Sequence, residues 1–185
     1  MEQHITAPFT TDTVNKLHAG DYVYITGTIY TARDAAHLRM YDTMNAGGKP
    51  PVELENNVIY YLGPTPAREG QVIGSAGPTT SSRMDKYTPL MLKNGLKGMI
   101  GKGKRSQAVI DAMKEYGAVY FAAVGGAGAL LSKCIKKAEV IAYDDLGTEA
   151  IRRLEVENLP VIVVIDHEGN NMYETAVEEY LKNKA

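Results

Sequence analysis

Apolar residues recur with two different periods along this chain, and the switches between them mark its elements. The run Asp21-Tyr22-Val23-Tyr24-Ile25-Thr26-Gly27-Thr28-Ile29-Tyr30 is dense in β-branched and aromatic side chains and predicts a strand. Before it, residues 12–17 predict a short helix capped by Thr11 or Asp12. After it, a helix is predicted from 34 to about 45, ended by the Gly47-Gly48 pair. Val58-Ile59-Tyr60-Tyr61 predicts a second strand, closed by a Gly63-Pro64 turn. The loop 74–83 then leads into a helix predicted over 84–93, which stops at Asn94-Gly95.

The second half alternates. Strands are predicted at 98–100, 118–124, 140–143 and 161–165. Between and after them lie helices from the Ser106 cap to about 116, over 127–134, from the Thr148 cap to about 155, and over 172–184. The apolar run Val161-Ile162-Val163-Val164-Ile165 predicts a strand buried on both faces. This alternation predicts an α/β fold with layered packing, and the early tyrosine-rich strands add β structure beside it. No repeat, low-complexity tract or Pro/Ser-rich linker interrupts the chain, so one domain spanning 1–185 is expected.

Composition narrows the function classes. The chain has 185 residues, 44% hydrophobic and 23% charged, with a net charge of -2, which are ordinary values for a globular protein. That balance gives no global basic field, so nucleic acid is not the expected partner. No apolar run approaches the length of a bilayer span, and the segment MEQHITAPFTTD has neither the basic nor the apolar region of a secretory signal. A cytoplasmic protein without membrane contact is expected. The single cysteine, Cys134, excludes an internal disulfide and a zinc site built on paired cysteines. An iron–sulfur cluster generally needs several thiolates, so this chain does not hold one alone. Flanked by Leu130, Leu131 and Ile135, Cys134 is expected as a buried core thiol with no catalytic role.

Three clusters could carry chemistry. The first is Gly77-Pro78-Thr79-Thr80-Ser81-Ser82-Arg83-Met84-Asp85, four consecutive hydroxyls followed by a guanidinium at a predicted helix start. Amides at a helix start favour an anion, and Arg83 adds a bidentate grip on a carboxylate. The alternative is a hydroxyl-rich cap, with Ser82 capping the helix and Arg83 in a surface ion pair. The second is Gly101-Lys102-Gly103-Lys104-Arg105-Ser106, where glycines bring the backbone close to a ligand and Lys102 offers a point charge. It lacks the Walker A spacing, and a solvated basic connection is the competing account.

The third cluster is Arg33-Asp34-Ala35-Ala36-His37-Leu38-Arg39. Arg33 and His37 share a helix face, and a cation at a helix N-terminus opposes the macrodipole, which suggests a partner anion for Arg33. His37 alone is weak evidence for chemistry and reads first as an ordinary surface or supporting histidine.

A rival reading rests on Val124-Gly125-Gly126-Ala127-Gly128, which follows a strand and opens a helix, with Asp144-Asp145 after the next strand. This is the outline of a dinucleotide-binding βαβ unit. Leu131 stands where the third glycine belongs, however, and too few residues follow to complete the fold. Close packing explains the glycines without a cofactor. A nucleotide-binding module using Gly126-x-Gly128 stays as the alternative.

Taken in order, the blocks Gly27-Thr28-Ile29, Arg33-Asp34-Ala35-Ala36-His37, Tyr61-Leu62-Gly63-Pro64, Gly77-Pro78-Thr79-Thr80 with Arg83-Met84-Asp85, and Lys102-Gly103-x-Arg105-Ser106 resemble the beta subunit, or C-terminal domain, of class I iron–sulfur fumarate hydratases and L(+)-tartrate dehydratases. The resemblance runs from about Ile5 to Tyr173. It implies a swivelling β/β/α three-layer domain and a [4Fe–4S] cluster bound by three cysteines of an alpha subunit, with one iron open to act as a Lewis acid on the substrate. It also implies an alpha2beta2 heterotetramer acting on a small dicarboxylate. The family's substrate-binding residues fall on Arg33, Arg83 and Lys102, and its proton-transfer threonine on Thr79. His37, Thr80 and Asp85 fall in the same motifs as possible supports. No metal ligand is implied for this chain.

Overall fold

The computed structural model describes residues 2–124 and 128–184. Strand β1 (Glu2–Ala7), helix α1 (Thr11–Asn15), strand β2 (Tyr22–Thr31) and helix α2 (Asp34–Asn45) open the chain. Next come β3 (Val58–Tyr60), a 3-10 turn at Ser81–Met84, α3 (Thr88–Lys93), β4 (Gly98–Gly101) and α4 (Gln107–Tyr116). The remainder is β5 (Val119–Ala123), α5 (Gly128–Ser132), β6 (Ile135–Ala142), a 3-10 stretch at Asp144–Glu149, β7 (Ile151–Ile165) and α6 (Met172–Lys184).

The strands form one mixed sheet in the order β1-β2-β3-β4-β5-β7-β6. Strands β1 to β5 pair in parallel, and β7 runs antiparallel to β2, β5 and β6. Because β7 also pairs with β2, the sequence β2-β3-β4-β5-β7 closes on itself. The ring is irregular where β7 meets its neighbours, with a register shift against β5 between Tyr120 and Phe121. The β2–β7 register shifts between Ile25 and Gly27, and Asn158 on β7 takes a positive φ of 49°. Gly27 itself has φ of 128°, and a Cβ there would lie 2.2 Å from the Ala7 carbonyl oxygen, so only glycine lets β1 approach β2.

Period-two alternation sorts side chains onto the two faces. Val58, Tyr60 and Leu62 pack into one apolar cluster with Phe9, Val23, Ile29, Phe121, Leu154 and Val161. Ile59 and Tyr61 point the other way, into a second cluster with Met40, Met91, Met99, Met113 and Tyr120 under α2, α3 and α4. Helix α4 is bounded as its sequence predicts: the Ser106 hydroxyl accepts from the Val109 amide at 3.4 Å, and Gly117 closes the helix with φ of 74°.

Several expectations need correction. The helix expected from Thr148 to 155 is absent; Thr148 lies within a 3-10 stretch that ends at Glu149, and 151–165 is one long strand. Leu154 and Val156 alternate with Arg153, Glu155 and Glu157, which is a strand period, and the β-sheet partners on both margins decide it. The helix expected at 84 begins only at Thr88, preceded by the 3-10 turn. Strand β6 starts at Ile135 rather than 140, and β1 has no counterpart in the expected elements. Cys134 is partly rather than fully buried, with Sγ 3.8 Å from the Asn158 carbonyl oxygen.

Candidate active site

Open parallel sheets present ligand sites at the carboxyl ends of their strands. Here the carboxyl ends of β2, β3 and β4 lead directly into Arg33, Tyr61-Leu62-Gly63 and Lys102. The hydroxyl loop crosses above them. Pro78 bridges Leu62, the Thr79 amide donates to the Tyr61 carbonyl at 2.8 Å, Thr80 bridges Lys102, and the Ser81 amide donates to the Lys102 carbonyl at 2.9 Å. Thr79 is therefore half-buried at the end of β3, and the exposed Thr80 stands beside the exposed Lys102. The hydroxyls do not cap a helix. Thr80 precedes the 3-10 turn without a side-chain capping bond, which overturns both the Ser82-cap account and the helix-start account of anion binding.

Arg33 and Arg83 meet through a residue between them. Arg33 is the N-cap of α2, and its side chain lies against Gly63, where a Cβ would come 2.7 Å from both its Cδ and a terminal nitrogen. Asp34 Oδ2 accepts from Arg83 Nε at 2.8 Å, and Asp34 Oδ1 lies 3.8 Å from Arg33 Nε. The anion that Arg33's position suggested is thus found within the chain itself. The Ala35 amide in the first turn of α2 donates to Glu149 at 3.1 Å, so the positive end of the helix is also partly answered internally.

His37 is buried beneath this group. Its Nδ1 lies 2.8 Å from the Arg33 carbonyl oxygen, which can only accept, so Nδ1 carries the proton and Nε2 the lone pair. The ring packs against Tyr61 and Tyr87. Burial is the main cause that lowers its pKa to about 4, against the raising effect of the Arg33 carbonyl bond. His37 is a neutral support and not a surface residue.

Below Thr80 and Lys102 lies a polar network built from residues far apart in the chain. Arg105 is buried and donates through Nε to Asp85 Oδ1 at 2.7 Å, and through a terminal nitrogen to the Tyr61 hydroxyl at 3.1 Å and the Thr88 hydroxyl at 2.9 Å. Its guanidinium also lies over the rings of Tyr61 and Tyr120. The other oxygen of Asp85 accepts from the Ser106 amide at 2.7 Å. The Tyr120 hydroxyl donates to the Gly103 carbonyl at 2.8 Å and shares a 2.7 Å hydrogen bond with the Ser81 hydroxyl, so one side chain ties the hydroxyl loop to the Lys102 turn. Gly101 leaves room for this: a Cβ there would fall 2.0 Å from Ser81 Oγ. Arg105, Tyr120 and Asp34 were not among the sequence-predicted site residues. Apart from Arg33 beside Asp34 and the Met99 sulfur beside Arg105, the hydrogen-bond and ion-pair partners of these side chains lie 17 or more positions away. The motif blocks contain Asp34 and Arg105 without marking either.

Among the described residues no group of three or more His, Cys, Asp or Glu side chains is placed to hold a metal ion. The dinucleotide rival fares poorly in topology. Strand β7 lies antiparallel between β5 and β6, and Asp145 is held by both terminal nitrogens of Arg39 at 2.8 Å. Gly126 lies outside the described residues. Gly128 serves close packing, though against a loop: a Cβ there would lie 2.6 Å from the Gly77 amide nitrogen.

Fold and rim together define a mixed α/β domain whose parallel strand ends carry cations and hydroxyls. The chain belongs to the Fumarase C-terminus family, which it matches over residues 2–176. It is 40% identical to the putative L(+)-tartrate dehydratase subunit beta of Methanocaldococcus jannaschii, covering 87% of this chain and 86% of that one. It is 39% identical to the anaerobic class I fumarate hydratase of Escherichia coli K12 over 86% of its own length, and 40% identical to fumarate hydratase 2 of Leishmania major over 83%. The chain spans only 29% and 28% of those two fumarate hydratases.

Proposed function

We propose that this chain is the beta subunit of a class I hydro-lyase that adds water reversibly to fumarate to give L-malate, or removes it from L-tartrate to give oxaloacetate. The observation that carries the reading is the meeting of Arg33 and Arg83 at one carboxylate, on a rim that also bears Thr79 and Lys102. The near end-to-end match to a beta subunit supports an alpha partner, and we place the pair in an alpha2beta2 assembly in the cytoplasm. No helix among the described residues is long and apolar enough to cross a membrane. We assign the chain, as one domain, to the swivelling β/β/α three-layer architecture; apolar clusters on both sides of the sheet, one of them under α2, α3 and α4, support this.

The [4Fe–4S] cluster of such an enzyme does not fit this chain. Its one cysteine is partly buried, and burial pushes that thiol's pKa up, away from the thiolate a cluster needs. The cluster belongs to the alpha subunit. The contribution of this chain is electrostatic and protonic. Arg33, Arg83 and Lys102 take the substrate carboxylates and stabilise the aci-carboxylate that forms as a proton leaves the neighbouring carbon. A single fixed donor of this kind contributes roughly 3 to 4 kcal/mol to such a transition state. Thr79 moves the proton. Its hydroxyl takes the proton either as the base itself or as a relay whose own O–H proton passes to a solvent water, which its half-buried place at the rim admits.

The test is reconstitution. Alone, the chain is expected to be colourless and inactive; mixed anaerobically with its alpha partner it completes an oxygen-sensitive dehydratase. Arg83→Ala or Lys102→Ala should lower turnover by roughly tenfold or more with folding intact. Near-normal turnover would remove that residue from the site, and activity from the isolated chain would refute the division of labour. Comparing malate with L-tartrate on the complex selects the substrate.

A further inference from the structure

All buried side-chain nitrogen and oxygen atoms without a hydrogen-bond partner, among the described residues, sit at the start of α2: Arg33 Nε, Asp34 Oδ1 and His37 Nε2. Buried polar atoms in native proteins are normally satisfied, and each exception needs a reason. We infer that Asp34 is a positioning residue, whose carboxylate holds the guanidiniums of Arg33 and Arg83 in the orientation that grips a substrate carboxylate. This deepens the hydro-lyase reading and rests on it.

Two like charges that converge from positions fifty residues apart repel unless an anion lies between them. Asp34 supplies it, and among the described residues it is the only carboxylate in an ion pair with either arginine. Its own position is fixed as the first residue of α2, where the helix dipole favours a negative charge. His37 reinforces the arrangement by donating to the Arg33 carbonyl from within the same helix. Asp34 engages Arg83 through Nε, the inner nitrogen of the fork, so the terminal nitrogens keep their donors for a ligand. The orientation of Arg83 is thereby set by a short bond to a rigid helix, although Arg83 itself is half-exposed. The unpartnered Oδ1 follows from the same compromise. One carboxylate serves two arginines and reaches only one at hydrogen-bond distance.

Asp34→Asn keeps the shape and removes the charge. In the reconstituted complex it should lower turnover of malate by roughly tenfold or more while KM stays within about threefold, because lost orientation affects the transition state more than ground-state attraction to cations. Turnover per folded complex within about twofold of the parent would overturn the inference, as would a loss of turnover matched by an equal loss of folded complex measured by circular dichroism. A second readout separates this inference from the hydro-lyase reading. In nitrogen-15 NMR of the full chain, the Arg83 Nε–H signal, assigned with Arg83→Lys, should be protected from exchange in the parent and lose that protection in Asp34→Asn. If the parent complex turns over neither malate nor tartrate, the enzymatic reading fails, and the NMR result alone decides whether Asp34 holds the arginine. An unprotected Arg83 signal in the parent refutes it.

Discussion

On one face of the sheet the buried side chains are almost wholly hydrocarbon: Phe9, Val23, Ile29, Leu154 and Val161 fill the space enclosed by the strands. On the other, under α2, α3 and α4, the methionines and aliphatic residues share their space with Arg105, Asp85, Thr88, Ser81, His37 and the hydroxyls of Tyr61 and Tyr120. The first face is non-directional and tolerates small shifts. The second is a set of short directional bonds whose outer ends are the Thr80, Lys102 and Arg33 segments. Apolar packing therefore holds both sides of the sheet, and the bonds that set orientation lie on one of them.

The contrast is tested most severely by one deletion on each face. Arg105→Met takes the guanidinium away from Asp85 Oδ1 and a donor away from the Tyr61 and Thr88 hydroxyls, leaving the Asp85 carboxylate with the Ser106 amide alone. It should cost about 3 to 5 kcal/mol in urea denaturation, together with a large loss of turnover per folded molecule. Phe121→Ala should cost a similar 3 to 5 kcal/mol through the cavity it leaves, yet keep turnover per folded molecule close to that of the parent. Equal effects on turnover would erase the distinction.

A pH series sharpens it next. The folded state holds His37 neutral down to about pH 4, whereas the unfolded chain protonates it below its ordinary pKa of 6.5. The resulting stability is complete above about pH 6.5 and is lost as pH falls toward 4, by on the order of 3 kcal/mol in all. The stability curve of His37→Gln should be flatter across that window, and parallel curves would contradict the buried neutral ring. Smaller again is Tyr120→Phe, which removes one oxygen that serves Ser81 and Gly103. It should cost roughly 1 to 3 kcal/mol and lower turnover, with normal turnover showing that the loops need no such tie. The smallest change in stability belongs to Gly63→Ala. The new methyl meets only the movable end of Arg33 and, at 3.3 Å, the Thr148 carbonyl. Stability should shift by less than about 1 kcal/mol while KM rises, and an unchanged KM would detach Arg33 from substrate binding.

Much of this arrangement was legible in the sequence, though unevenly. Helices α2 and α6 fall where periodicity and the Gly47-Gly48 stop put them, because local signals dominate there. Ile151 and Leu154 are spaced as on a helix face while Leu154 and Val156 alternate as on a strand, and pairing with β2, β5 and β6 decides between the two. The cations and hydroxyls of the rim announce themselves by type and motif. Asp34, Arg105 and Tyr120 do not, since an acid at a helix start, an arginine in a basic run and a tyrosine in a strand each have an ordinary explanation. Their importance lies in partners the chain brings from far away.

Strand β7 carries a last consequence. Its 15 residues are bonded along one margin to β2 and along the other to β6 and β5, so it is the keystone that fastens three neighbours at once. New chain ends opened within it would strip the sheet of its closure, whereas ends opened in the exposed 65–71 segment would leave every pairing whole. The place where this protein can be cut and rejoined is thus set by which margins are already in use.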